Sequence, residues 1–424
     1  MDERARVPSK PIILLLFAAI LLAGCHQVAP SSKCSDTSGC VEIAPGDPIK
    51  IGVLQALSGD LGPQGLDQLQ CTELALDDRD RKLLGHPIEL QSEDSLCSGE
   101  GGTTAALKVA ANPQIVGIVG PTCSGAAATA MKVVSEAGLV MVSGSSSAPS
   151  LTSVGGQPGP DWQPGFFRTA PNDALEGQAA AIFAFQQLGV TKAATIDDGD
   201  PYTRGLAGTF EGAFTELGGQ VVLAAAVNKG DTDMRPVLEA VVASGAELLF
   251  FPVFSPEGDY IVLRAREMEG LEDITLMGAE GLYADATIEL LGKAAVGMYF
   301  ITPATPEGPA YDAFVSRYET KYNEPPTSGP YLAHTYDAVN LLLSAIEAVA
   351  VQDANADGTL RIGRQALRDA LYATAGYQGL TGRLTCDEYG DCGAIRLQVT
   401  RLDDPAAGLE GLAGNVIYMY PLDQ

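Results

Sequence analysis

From Ile49 onward, short apolar runs of strand type alternate with longer amphipathic stretches of helical type, and few chain plans accept that rhythm. Strands are expected at Lys50–Gln55, Ile88–Ser92, Ile115–Val119 and Leu139–Val142. A second series follows at Ala193–Ile196, Gln220–Val227, Leu248–Pro252, Thr275–Met277 and Gly297–Ile301. Helices are expected at Leu66–Lys82, Gly102–Ala111, Ala126–Ala137, Leu175–Leu188, Thr203–Leu217 and Met234–Ser244. Uninterrupted apolar strands are buried on both faces, and helical crossovers between them make neighbouring strands parallel. The expected fold class is therefore α/β. With 424 residues the chain is long enough for two domains. The Gly- and Pro-rich segment 155–165 breaks the rhythm, Arg168-Thr169-Ala170-Pro171 opens the second series, and that series ends near Ile301-Thr302-Pro303. We read two doubly wound parallel-sheet lobes joined by a multi-strand hinge, with a cleft between them. Residues 49–170 begin the first lobe and 171–300 the second. Residues 301–395 return to the first lobe, and 396–424 end in the second lobe or the hinge.

Two turns carry the chemistry. Gly120-Pro121-Thr122-Cys123-Ser124-Gly125 follows one strand run and leads into an Ala-rich helical stretch; Gly144-Ser145-Ser146-Ser147 follows another. A helix that opens on Gly and Ser presents free backbone N–H groups, hydroxyls and the positive end of its dipole. Such a turn cradles an anion. Neither turn holds a basic residue, so a small carboxylate is expected rather than a phosphate.

A free amino acid also carries an ammonium, and burying either pole unpaired costs several kcal/mol. A carboxylate is therefore needed across the cleft. Met277-Gly278-Ala279-Glu280-Gly281 supplies the best-placed candidate, with Glu280 at a strand end among small residues.

The remaining composition narrows the partners. There are 26 Lys and Arg against 53 Asp and Glu, a net charge of −27. Nucleic acid is excluded as a partner, because phosphate binding needs clustered positive charge. Arg4, Arg6 and Lys10 precede the apolar run Ile12–Leu22, too short for a mature span, which ends in Leu21-Leu22-Ala23-Gly24-Cys25. That ending resembles the bacterial lipoprotein signal, which implies a signal peptide over 1–24, lipid on Cys25, and a membrane-anchored tether over 25–48. Export permits disulfides. Spacing suits local bridges at Cys34 with Cys40 and at Cys386 with Cys392. Cys97 and Cys123 follow separate strand runs and could clamp neighbouring loops, which leaves Cys71 as a buried free thiol; the connectivity stays open at this stage.

Several ordered motifs together resemble one family. They are Lys50-Ile51-Gly52-Val53 with Ser58-Gly59, Val119-Gly120-Pro121-Thr122-Cys123-Ser124, and Met141-Val142-Ser143-Gly144-Ser145-Ser146-Ser147. Tyr202-Thr203-Arg204-Gly205, Met277–Gly281 and Gly379-Leu380-Thr381-Gly382 complete the set. From about Ile49 to Leu422 the chain resembles the leucine/isoleucine/valine-binding receptors of bacterial ABC importers, with the type I periplasmic-binding-protein fold. The resemblance implies that Ser124, with Cys123 beside it, holds the ligand carboxylate. It implies that the Ser145 carbonyl meets the ammonium and that Ser147, where the family usually has Thr, touches both poles. Tyr202 and Glu280 would come from the second lobe, Glu280 pairing the ammonium. Cys97 and Cys123 match the family's disulfide. Gln64 stands where an aromatic residue often lines the side-chain pocket, and Phe254 falls near a second aromatic position.

The expected protein is thus an extracytoplasmic, lipid-anchored receptor, monomeric, that closes on an amino acid and presents it to an ABC permease. Alternatives are an amide, urea or small aromatic acid as ligand, or a sensory receptor role. No enzyme is expected: no Gly-x-Ser-x-Gly elbow is present and no His accompanies the Ser clusters. No cofactor or metal is expected either. Asp353-Ala354-Asn355-Ala356-Asp357-Gly358 begins like a calcium loop, but its twelfth position is Arg364.

Overall fold

The computed structural model describes Met1 and residues 34–327, 329–352 and 358–420. The proposed signal peptide after Met1, the proposed lipidation site Cys25, the start of the tether and the Asp353–Asp357 stretch lie outside the described residues. Among the described residues no helix is long and apolar enough to cross a membrane.

Two sheets organise the chain. In the first, the order is Lys82–Leu83, His86–Asp94, Ile49–Gln55, Ile115–Val119, Met141–Ser143, Phe166–Arg168. All pairs are parallel except Lys82–Leu83 with the start of His86–Asp94. The second runs Gln220–Ala226, Lys192–Asp197, Leu248–Phe250, Thr275–Ala279, Tyr299–Pro303, Leu397–Arg401, Val416–Tyr420. Its first five strands are parallel and its last two antiparallel. Each series places its second strand outside its first and its third on the other side. Strand order therefore reverses once in each sheet, and the loops at the carboxyl ends part there to leave a crevice.

Both faces of each sheet are covered, which explains the uninterrupted apolar runs. Val116, Val119 and Val142 pack under Leu342 and Ile346 on one face, and Ile115, Ile118 and Met141 under Ala127, Met131 and Val134 on the other. In the second sheet Leu249 and Leu276 share a cluster with Ile261, and Leu248 and Met277 share another with Phe210. A fully buried side chain of this size contributes roughly 1.5–3 kcal/mol.

The chain passes from Phe166–Arg168 in the first sheet to the helix Asp173–Ile182, and stays with the second lobe through Tyr299–Pro303. It then returns: Phe314 and Tyr318 of helix Pro309–Tyr322, with Leu332 of helix Leu332–Val349, pack on Cys71 and Leu74 of helix Gly62–Asp77. Leu397–Arg401 rejoins the second sheet.

Three details differ from the sequence reading. Residues 34–48 are not a free tether: Cys40–Ile43 pairs antiparallel with Leu360–Gly363, and Val41 and Ile43 are buried. Their alternating apolar positions give one face to the core. Phe166–Arg168 is an added strand, too short to announce itself by pattern. Leu175–Leu188 divides into an α-helix to Ile182 and a π-helical turn, Phe183–Gln187. Disulfides join Cys34 to Cys40, Cys97 to Cys123 and Cys386 to Cys392, and Cys71 is a buried free thiol.

Candidate functional site

The first lobe builds one wall from two adjacent strand ends. Ile115–Val119, buried throughout, leads through the Gly120–Cys123 turn into the helix Ser124–Glu136, whose N-terminus no side chain caps. The first N–H groups of that helix lack intrahelical partners and lie at the positive end of its dipole. Serine hydroxyls lock the neighbouring turn. Ser143 Oγ donates to the Pro121 carbonyl at 2.8 Å and accepts from the N–H groups of Ser145 and Ser146 at 3.2 and 2.9 Å. Ser145 Oγ donates to the Thr122 carbonyl at 2.8 Å, and Ser146 Oγ to the Pro121 carbonyl at 2.9 Å. Ser124 Oγ accepts from the Ala148 N–H at 3.1 Å, and a hydroxyl that accepts there can still donate elsewhere.

Two further contacts fix this wall. Any Cβ on Gly144 would lie 2.4 Å from Thr335 Oγ1 and 2.5 Å from its Cα, so only glycine lets the turn rest on helix Leu332–Val349. Arg168, fully buried, donates through Nη1 to the Ala148 carbonyl at 2.7 Å and through Nε to Asp391. Asp391 also accepts from Thr152 Oγ1 at 2.9 Å. Burial would raise the Asp391 carboxyl, but the Arg168 guanidinium holds it below the usual carboxylate range.

The second lobe supplies the facing wall. Glu280 directly follows Thr275–Ala279 and is 5% exposed. Tyr202 opens helix Pro201–Glu216, where Asp200 Oδ1 accepts from the Tyr202 N–H at 3.0 Å. Its ring lies 5.0 Å from that of Phe254, and its buried hydroxyl has no hydrogen-bond partner among the described residues. The walls touch at the site. Tyr331, from the first lobe, donates its hydroxyl to Glu280 Oε1 at 2.8 Å, whereas Oε2 has no partner among the described residues. A Cβ on Gly125 would lie 2.4 Å from Asp200 Oδ2.

Between the walls is a narrow, nearly closed cavity. Gln64, Cys123, Ser124, Ser145, Ser147, Tyr202, Phe254 and Glu280, the eight ligand-site residues expected from sequence, all line it. Thr122 and Tyr331 line it too, without having been given a role in the sequence reading. Thr122 was within reach, inside the quoted turn, but its hydroxyl is spent internally, donating to Gln55 Oε1 at 2.6 Å. Tyr331 follows Gly329-Pro330 at a helix start, a turn signal that on its own says nothing of ligand.

Sequence reading also missed what lies beside Glu280. Asp173 and Glu176, one turn apart on helix Asp173–Ile182, are fully buried. Carboxylate oxygens of Asp173, Glu176 and Glu280 lie within 4.8 Å of one another, spacing at which they could share protons or a cation. Both oxygens of Asp173 and of Glu176 lack hydrogen-bond partners among the described residues. Burial first, then the neighbouring Glu280 charge, pushes both carboxyls well above the ordinary range. Burial raises Glu280 as well, although the hydrogen bond from Tyr331 opposes it. The site thus offers N–H and O–H donors on one wall and a buried carboxylate on the other, complementary to a small dipolar molecule.

Comparison with known proteins gives the family and the fold. The family described as periplasmic binding protein matches residues 48–397. A Pseudomonas aeruginosa protein, the leucine-, isoleucine-, valine-, threonine- and alanine-binding protein, is 26% identical over 379 residues, covering 89% of this chain and 92% of that one. The crystal structure of the leucine binding protein LivK from Thermotoga maritima superposes with a TM-score of 0.73 at 24% identity, covering 84% of this chain and 96% of that one. An ABC transporter solute binding protein from R. palustris, in complex with benzoate, superposes with a TM-score of 0.70 at 20% identity, covering 84% and 93%.

Proposed function

The chain belongs to the periplasmic binding protein family, and from that premise we propose that it captures a free amino acid in the interlobe cavity and delivers it to an ABC permease. It is a binding protein and not an enzyme. The reading rests on one observation above all: Ser124, at the uncapped N-terminus of Ser124–Glu136, and buried Glu280, one oxygen of which has no hydrogen-bond partner among the described residues, line the same small cavity. The ligand carboxylate receives the Ser124 N–H and hydroxyl, with Ser147 alongside. The ligand ammonium meets Glu280 and the Ser145 carbonyl, and Tyr202 and Phe254 cover the second-lobe side. Pairing both ionic ends removes the cost of burying them.

A second reading, a small aromatic acid, draws on the benzoate-bound relative. Such a ligand satisfies the donor wall and leaves Glu280 without a counter-charge, so the amino acid is preferred. Calorimetry on ligand-stripped protein separates the two. Glu280→Gln should cost roughly 2–5 kcal/mol in amino-acid affinity, the usual loss when one partner of a buried ion pair is removed. An unchanged affinity would reject the assignment, and a benzoate that binds where amino acids do not would favour the second reading. Lipid attachment at Cys25 belongs to the same proposal, with the lobes held at the outer side of a membrane. Mass spectrometry of the processed N-terminus tests it.

A further inference from the structure

We propose that the captured amino acid carries a cationic side chain, whose amine or guanidinium passes Gln64 into an acidic chamber adjoining the head-group cavity. The inference rests on the amino-acid reading above and specifies its substrate class. Gln64 and Glu280 line both spaces, so the two lie side by side with these residues between them. The chamber, open to solvent, is lined by the acidic residues Asp60, Asp259, Glu280, Asp285 and Glu289 and, among the described residues, by no basic one.

Asp259 separates this chamber from an ordinary acidic surface. It is 3% exposed, lines the chamber, and its Oδ1 has no hydrogen-bond partner among the described residues. Burial, with Glu257 and Asp60 nearby, lifts its carboxyl to about 6 against a hydrogen bond from Ser255. A buried carboxylate oxygen without a donor is costly, and a cation at that point removes the cost. The nearby cation Lys229 is engaged elsewhere, 2.9 Å from Asp200 Oδ2. An apolar side chain would instead meet the Gln64 amide and leave Asp259 uncompensated. A lysine or arginine side chain would carry its charge past Gln64 toward Asp259, with the head group in the small cavity.

The test is a calorimetric panel on the purified, ligand-stripped protein, using L-arginine, L-lysine and the uncharged analogue L-norleucine. At least one basic amino acid should bind about tenfold or more tightly than norleucine. Asp259→Asn, and separately the exposed Asp60→Asn, should lower that ratio several-fold, and added salt should lower it in the unmodified protein. Norleucine binding as tightly as both basic amino acids, or a ratio that neither substitution moves, would overturn the inference while leaving the amino-acid reading intact. Binding of no α-amino acid at all would remove both.

Discussion

Glu280 sits between two competing demands, and its pH behaviour follows. Asp173, Glu176 and Glu280 are raised from ordinary values of 3.8, 4.5 and 4.5. The folded, ligand-free protein therefore holds protons that the unfolded chain has released. Where the native state binds more protons, stability falls as pH rises. Denaturant midpoints of ligand-free protein should accordingly decline as pH climbs above those ordinary values toward neutrality. Ligand affinity should move the opposite way, because an ammonium needs ionised Glu280, so calorimetry should find binding strengthening over the same interval. A flat affinity profile would count against Glu280 as the ammonium partner. Arg168 has a different role at this scale. Its guanidinium holds the Ala148 carbonyl and pairs with Asp391, so Arg168→Ala leaves Asp391 with no counter-charge. Removing one member of a buried pair costs about 3–5 kcal/mol, a loss that urea denaturation would register directly.

Among elements, the serine turn and the helix beneath it must approach more closely than a side chain permits. Gly144 rests on Thr335 at the start of helix Leu332–Val349, and a methyl group there would have to displace that helix or the turn. Gly144→Ala should cost about 1–3 kcal/mol, the usual range for forced overpacking. Because the turn carries Ser145 and Ser147, ligand affinity should fall with it. Denaturation and titration of one variant check both, and loss of neither would show that the turn tolerates displacement.

For the molecule as a whole, the two lobes meet through the site itself: Tyr331 on Glu280, Gly125 on Asp200, and the Gly329 N–H on the Tyr283 carbonyl at 2.9 Å. A dipolar ligand bonded to both walls adds cross-lobe contacts and favours the closed arrangement by its differential affinity for it. Small-angle scattering should record a smaller radius of gyration when a binding amino acid is added. No change on saturation would argue against ligand-driven closure.

Pattern alone reached far into this protein because its strands are short, apolar and separated by amphipathic helices. That rhythm specified two α/β lobes, and the turns after Ile115–Val119 and Leu139–Val142 advertised donors through their glycines and serines. Glu280 was legible as a carboxylate at a strand end among small residues, and it lines the cavity between the walls. Asp173 and Glu176 were not, since two acids three residues apart read as a solvated helix face until folding buries them. Tyr331 likewise comes to line the cavity only when distant segments converge on it. Local sequence fixes which groups a turn or helix end offers, because those depend on neighbours along the chain. Which charges end up buried together depends on packing between segments more than a hundred residues apart, and only the tertiary structure decides that.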